Sequence, residues 1–239
     1  MTTERDPGTP SPELALLALL QLADGLFPAG AFAHSLGLET YTQAGLVKDR
    51  VGLEAFVRAH LEGSAGPADA VAVACAVRCA RACDLEGCLA IDARLDAMRF
   101  VPEFSAASRQ MGRQTLRVAR AWTPDAVLDP LAARVESGAS AGHYPLVFGA
   151  AAGRAGIEPD ATAAAYLYAT ASMLVNAALR LLALGQLEGQ RLLAALRPSI
   201  AALAAGAAAA TLDDMWSFTP GLELAGLRHA ELDMRLFRS

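Results

Sequence analysis

Lysine is almost missing from this 239-residue chain, in which Lys48 is the only one. A P-loop that binds nucleotide phosphates needs a lysine that follows a glycine and precedes Ser or Thr. Lys48 lies instead between Val47 and Asp49. The sequence therefore predicts no P-loop, and we expect the chain alone to hydrolyse no GTP.

Patterns of alternating apolar and polar residues, typical of β-strands, are also missing. A dinucleotide-binding fingerprint needs a preceding strand, so that class of enzyme is not predicted either. Aromatic residues make up only 6% of the chain, the net charge is −5, and there is no run of basic residues. A phosphate backbone is bound mainly by clustered positive charge, so we expect no nucleic-acid partner.

Sequence motifs for metal catalysis are missing too. The four histidines, at positions 34, 60, 143 and 229, form neither an H-x-x-x-H nor an H-E-x-x-H pattern. The fold could nevertheless bring some of them together with a carboxylate. A helical metalloenzyme that uses His34, Glu39 and His143, or the cysteines, therefore remains the alternative hypothesis.

Three of the four cysteines are spaced for one helical face. Cys75, Cys79 and Cys83 follow one another at intervals of four residues. One interpretation is a thiolate metal cluster, and the other is a set of small apolar residues on a buried face. A single helix offers ligands along a line and not around a tetrahedron, which favours the second interpretation.

Apolar residues are abundant, at 54% of the chain, yet no long uninterrupted apolar run is present. Ala161–Leu184 contains Asn176 and Arg180, and Ile200–Leu212 is too short for the roughly 20 residues that a membrane span needs. The acidic N-terminus also lacks the positive start of a secretion signal. We therefore expect no membrane partner and a cytoplasmic location.

Helical periodicity dominates the rest of the chain and predicts an all-α fold, a single bundle of about ten helices. Residues 1–10 are polar and predict a disordered tail, residues 11–212 an all-helical domain, and residues 213–239 a C-terminal partner-binding tail outside the core. The apolar residues of that last segment follow an imperfect helical stripe, and apolar residues near a chain end are usually covered by something.

The positions of proline and glycine predict where the helices begin and end. Cap-plus-proline pairs at Ser11-Pro12, Thr123-Pro124 and Asp129-Pro130 predict three helix starts. Tyr144–Ala155 is apolar all round, which predicts a central buried helix. The other predicted helices are Phe32–Ala44, Leu53–Glu62, Ala68–Cys83, Leu85–Ala97, Val101–Ala121, Asp160–Leu184, Gln186–Ala195 and Pro198–Thr211.

Four segments are more distinctive than a generic bundle requires: Leu19–Glu39, Ser108–Gln114, His143–Gly149 and Arg180–Gln190. With the terminal Arg235–Ser239, their order and spacing resemble the urease accessory protein UreF family over nearly the whole chain. The sequence departs from the family in the loop Asp24–Ala31, here called the glycine loop. Ala29 and Ala31 occupy positions where the family often has Ser and a second Gly.

The resemblance implies a function in nickel insertion. It implies an all-helical homodimer, a chaperone that is not itself an enzyme, which binds UreD (UreH in some species). The pair recruits the GTPase UreG to apo-urease, and nickel is handled by that complex with no cofactor held stably by this chain. The partner-binding residues that it implies are Phe27, Pro28, Gly30, His34, Glu39, Ser108, Arg109, Gln114, Arg180, Gln186, Arg235, Leu236 and Phe237.

Overall fold

The computed structural model describes residues 11–122 and 125–239. Within these ranges it contains eleven α-helices and no β-strand, so the predicted all-α bundle of about ten helices is confirmed. The predicted tail at residues 1–10 and the predicted helix start at Thr123-Pro124 lie outside the described residues.

The helices follow one another through short connections. They are α1 Pro12–Ala23, α2 Leu38–Gln43, α3 Arg50–His60, α4 Val71–Arg81, α5 Leu85–Met98, α6 Pro102–Arg120, α7 Leu128–Glu136, α8 Tyr144–Arg154, α9 Pro159–Leu181, α10 Gln186–Ala209 and α11 Pro220–His229. Single 3₁₀ turns occupy Ala31–Ala33 and Leu212–Asp214, and a π-helical segment, Leu61–Ala70, joins α3 directly to α4.

Helix starts follow the capping chemistry of the sequence, with one correction. The Ser11 hydroxyl accepts a hydrogen bond from the Leu14 amide at 3.3 Å, and a proline holds the first position of α1, as predicted. Helix α7 was predicted to start at Asp129-Pro130 and starts earlier. The reason is Asp125, whose carboxylate accepts the amides of Val127 at 2.8 Å and Leu128 at 2.9 Å.

Helix α8 is the centre of the core, as its uniformly apolar sequence predicts, and every residue from Pro145 to Gly153 is buried. Gly149 and Gly153 face α4, where a Cβ atom on Gly153 would lie 2.7 Å from the Val77 carbonyl oxygen. A Cβ atom on Gly149 would collide with the Val73 carbonyl oxygen. These two glycines therefore allow the backbones of α4 and α8 to approach closely.

The predicted helix Phe32–Ala44 is interrupted. Leu36 and Gly37 have φ angles of 49° and 87°, in the left-handed region, and only the six-residue α2 remains helical. A Cβ atom on Gly37 would lie 3.3 Å from the Leu222 carbonyl oxygen. The break therefore provides space for α11 to cross at this point.

The two helices predicted on either side of Pro198 are one helix. Helix α10 has 24 residues and continues without a break through Pro198. By length and composition, α9 and α10 are each long and apolar enough to cross a membrane. This corrects two expectations: that Asn176 and Arg180 disqualify the segment of α9, and that the segment of α10 is too short. The most apolar window of α9 is 56% buried within the protein and that of α10 is 33% buried.

The last part of the chain is packed on the bundle and does not stand outside the core, contrary to the expectation for residues 213–239. Helix α11 packs against α2, and Phe237 and Ser239 are only 5% and 0% exposed. Polar groups of the bundle bind the backbone of residues 230–239, here called the C-terminal strap. Whether this segment also binds a partner stays a prediction.

Candidate partner-binding site

Glu39 is the residue that holds the C-terminal strap. Its side chain on α2 is almost fully buried, and its carboxylate accepts hydrogen bonds from the Leu236 amide at 2.7 Å and the Phe237 amide at 3.0 Å. Burial alone would raise the pKa of Glu39, but the hydrogen bonds from the two amides and from His229 outweigh it and lower the pKa. The strap is therefore held by a buried, charged carboxylate.

His229 connects that carboxylate to a second one. Its Nε2 lies 3.1 Å from Glu39 Oε2, and its Nδ1 lies 2.7 Å from Glu103 Oε2. Each ring nitrogen of this fully buried imidazole therefore has a carboxylate partner, one on α2 and one on α6. Arg235 of the strap completes the network with an ion pair to Glu103 at 3.2 Å.

The far end of the strap lies against the segment before α2. The main-chain oxygen of Ser239 accepts hydrogen bonds from the amides of Ser35 at 2.6 Å and Leu36 at 3.1 Å. The Ser239 hydroxyl pairs with Nδ1 of His34 at 2.8 Å. Burial, together with the nearby charge of Arg238, lowers the pKa of His34 to about 4, so this imidazole is neutral at physiological pH.

Arg180 clamps the strap from the side of α9. Its guanidinium lies 4.4 Å from the centroid of the Phe32 ring and 4.4 Å from that of the Phe237 ring. One donor also reaches the Phe32 carbonyl oxygen at 3.3 Å. This stack links α9, the 3₁₀ turn Ala31–Ala33 and the strap.

Large apolar side chains remain uncovered around the packed strap. Met234 is 81% exposed, Phe32 is 68% exposed and Leu236 is 51% exposed. We call these three residues the strap surface. Adjacent to it is the glycine loop, in which Phe27 packs edge-on against Trp122 while Pro28 and Gly30 are exposed. Exposed apolar patches of this kind mark interaction sites.

A cavity of about 180 Å³ lies beneath the glycine loop. Apolar side chains such as Met111 and Met173 line most of it, and His34 contributes to its wall. The Nε2 atom of His34 is buried without a hydrogen-bond partner among the described residues. The glycine loop therefore covers incompletely filled space.

A second polar cluster surrounds His143 at the start of α8. Its Nδ1 lies 3.1 Å from the Ser108 hydroxyl and its Nε2 lies 3.0 Å from the Asp96 carboxylate, which also pairs with Arg109. The Ser108 hydroxyl accepts a hydrogen bond from the Tyr144 amide at 3.2 Å. The hydroxyl proton can therefore be donated to Nδ1 of the neutral ring. Burial lowers the pKa of His143, which keeps the ring neutral.

Two predicted site residues lie apart from these clusters. Gln186 is exposed at the first position of α10, and Gln114 is half-buried on α6, with a side-chain oxygen that has no partner among the described residues. The remaining predicted residues fall into the two clusters or the glycine loop. No partner is present to test which of them bind one, so their binding role stays a prediction.

The metalloenzyme alternative is not supported by this geometry. Glu39 is engaged by the strap, and both ring nitrogens of His143 have hydrogen-bond partners. Over residues 11–122 and 125–239, no group of three or more His, Cys, Asp or Glu side chains is placed to hold a metal ion. The cysteine stripe is also incomplete, because α4 ends at Arg81 and Cys83 is exposed beyond it.

The residues that sequence reasoning missed are the ones that hold the two clusters. Asp92 accepts hydrogen bonds from the amides of Gly142 at 2.8 Å and His143 at 2.9 Å, and Glu103 pairs with His229. A single sequence gives no signal for such pairs, since the partners are 50 or more positions apart.

The fold and this site define an all-helical protein in which a buried carboxylate binds the backbone of the C-terminal strap. The strap in turn presents an exposed apolar surface. The UreF family model matches residues 47–197. A urease accessory protein UreF of Rhodopseudomonas palustris is 40% identical and covered fully, as is this chain. One of Paenarthrobacter aurescens is 34% identical over 93% of this chain and 97% of its own length. The chain belongs to the UreF family of urease accessory proteins.

Proposed function

We propose that this protein is a non-catalytic assembly factor of the cytoplasm that, as a homodimer, binds UreD (UreH) and recruits the GTPase UreG to apo-urease for nickel delivery. Family membership, with relatives matched over nearly their full length, carries this proposal. The chain brings no P-loop of its own, so nucleotide hydrolysis is assigned to the partner GTPase.

The strap surface is the face that we assign to UreD. Three exposed apolar side chains lie around a strap whose backbone is bound by Glu39 and whose Phe237 ring is covered by Arg180. A partner that covers them gains the free energy of apolar burial, and the strap pays little ordering entropy because it is already packed.

Affinity capture tests this assignment. The double variant Met234→Glu with Leu236→Glu places two charges on the strap surface without touching the buried network. We expect it to melt like the wild-type protein and to capture neither UreD nor, through UreD, UreG. Val51→Glu on α3 is the matched control, since Val51 is 68% exposed, and it should capture both.

A double variant that captures UreD as well as the wild-type protein would overturn the assignment of this face. Loss of UreD capture by the control would overturn it as well, because the effect would then not depend on the position of the charge. Turnover of GTP by the purified chain would overturn the non-catalytic role.

A further inference from the structure

The cavity beneath the glycine loop has the volume of a small organic molecule. It measures about 180 Å³, and an apolar protein cavity of about 150 Å³ is large enough to hold benzene. Two of its lining residues, Gly25 and Asn176, are exposed, so the cavity reaches the surface beside the loop. A six-membered ring with one or two further heavy atoms therefore fits the space.

Most of the cavity wall is apolar. Leu22, Val101 and Phe104 line it together with Met111 and Met173. Methionine side chains adapt to irregular shapes, and a ring placed among them gains free energy because its apolar surface leaves water. An ion that entered the same space would lose its hydration, which costs far more than this gain unless an opposite charge pairs with it.

The charged groups where α9 meets the π-helical segment already pair with each other. Asp69 of that segment accepts hydrogen bonds from Arg99 Nη2 at 2.5 Å and from the Tyr166 hydroxyl at 2.9 Å. Asp69 and Arg99 both line the cavity, and their side chains are only 16% and 15% exposed. This part of the wall therefore leaves no net charge for a ligand ion, and the cavity favours a neutral molecule.

Two polar atoms on the cavity wall have no hydrogen-bond partner among the described residues. One is the hydroxyl of Tyr144, whose ring packs against those of Tyr166 and Phe148 with centroids 5.6 Å and 5.7 Å away. The other is Nε2 of His34, a side chain that is 3% exposed. Burial raises the pKa of Tyr144, so its hydroxyl stays protonated. Since a tyrosine hydroxyl inside a protein usually has a partner, this one is available to a ligand.

We propose that this cavity binds a neutral aromatic molecule of about eight heavy atoms, with its ring among the apolar side chains and a hydroxyl group hydrogen-bonded to Tyr144. This proposal goes beyond the assembly function and does not depend on it. The π-helical segment supports it, because π-helical turns are rare and are found frequently at functional sites. That segment contributes Ser64 and Asp69 to the wall.

An NMR titration of the full-length protein with four related compounds tests the class of ligand. Benzyl alcohol has the ring and the hydroxyl, toluene lacks the hydroxyl, and benzoate and benzylamine carry a negative and a positive charge. We expect one benzyl alcohol to bind per chain with a dissociation constant of about 1 mM or tighter. Toluene should bind about fivefold more weakly, and the two ions should not bind.

Two pairs of variants locate the binding site. Tyr144→Phe removes the hydroxyl, so benzyl alcohol should then bind no better than toluene. Tyr168→Phe is its control, since Tyr168 is exposed on α9 and does not line the cavity. Ala169→Met fills part of the cavity and should abolish binding of both compounds, while Ala164→Met, half-buried on the same helix but outside the cavity, should not.

Equal affinity of the wild-type protein for benzyl alcohol and toluene would overturn the role of Tyr144. Tighter binding of benzoate or benzylamine would overturn the neutral class of ligand. The cavity itself would be excluded as the site if no compound bound saturably, or if a folded Ala169→Met bound like the wild-type protein. Should Tyr144→Phe fail to fold, the comparison of benzyl alcohol with toluene and the two alanine variants decide the question.

Discussion

At the scale of single residues, His34 is kept neutral by its surroundings. Its pKa falls from an ordinary 6.5 to about 4 because burial and Arg238 oppose the charged form. A lowered histidine pKa contributes stability that is present above pH 6.5 and is lost as the pH falls towards 4. The shift corresponds to roughly 3 kcal/mol as an upper bound.

His34→Asn tests this pH dependence, since an amide can keep the contact with the Ser239 hydroxyl. The free energy of unfolding, measured with urea between pH 7 and pH 4, should fall less steeply in the variant than in the wild-type protein. Parallel curves would show that His34 titrates alike in the folded and unfolded chain, contrary to its burial.

At Gly112 the structure leaves no space for a side chain. A Cβ atom there would collide with the Gly142 carbonyl oxygen, in the turn that leads into α8. Gly112 therefore allows a close approach between α6 and that turn. Gly112→Ala should therefore cost about 1–3 kcal/mol of stability despite the gain in helix propensity.

Gly206 provides the matched control for that prediction. It also lies inside a helix, and a Cβ atom there would meet nothing within 4 Å. Gly206→Ala should leave the melting temperature unchanged or raise it slightly, because alanine favours the helix. Equal effects at the two positions would mean that propensity and not crowding governs Gly112.

At the scale of elements, local patterns predicted helices well and their interruptions poorly. The apolar α8 and the Ser11 cap of α1 follow from side chains within a few residues of one another. The break at Leu36 and Gly37 depends on α11, which is about 185 positions away in sequence. The packing of the strap depends on Glu39 in the same way, so neither could be inferred from local sequence.

Deletion of the strap, residues 230–239, tests the correction that the structure makes. The segment buries Phe237 and Ser239 and satisfies the buried charge of Glu39. Its loss should cost about 3 kcal/mol or more and lower the melting temperature by roughly 10 °C. Calorimetry measures the melting temperature of the deletion variant. An unchanged value would mean that the strap is separate from the core, as the sequence predicted.

At the scale of the whole molecule, helix α1 carries the face that we expect in the homodimer. Leu17 and Leu20 are 61% and 59% exposed on a helix in which most residues are apolar. In the free protein the partner that is always available to cover them is a second copy of the chain. Obligate dimers bury more than about 2,000 Å², so an interface built on α1 must also include its surroundings.

Light scattering of the purified protein should give twice the chain mass at micromolar concentration. Leu17→Glu with Leu20→Glu should give the chain mass with little change in helical content, because both side chains are exposed. A wild-type monomer would contradict the dimer, and a dimeric double variant would place the interface elsewhere.

The central claim is that the packed strap presents the surface that UreD binds. Its most direct test is the dissociation constant for UreD of wild-type protein, of Glu39→Gln, and of Glu54→Gln as a surface control on α3. Glu39→Gln leaves the strap surface chemically intact but weakens its buried anchor, so we predict at least about tenfold weaker binding, or about 1.4 kcal/mol. The control should bind like the wild-type protein. The claim would be contradicted if Glu39→Gln bound UreD with wild-type affinity while hydrogen exchange showed that its strap amides had lost their protection.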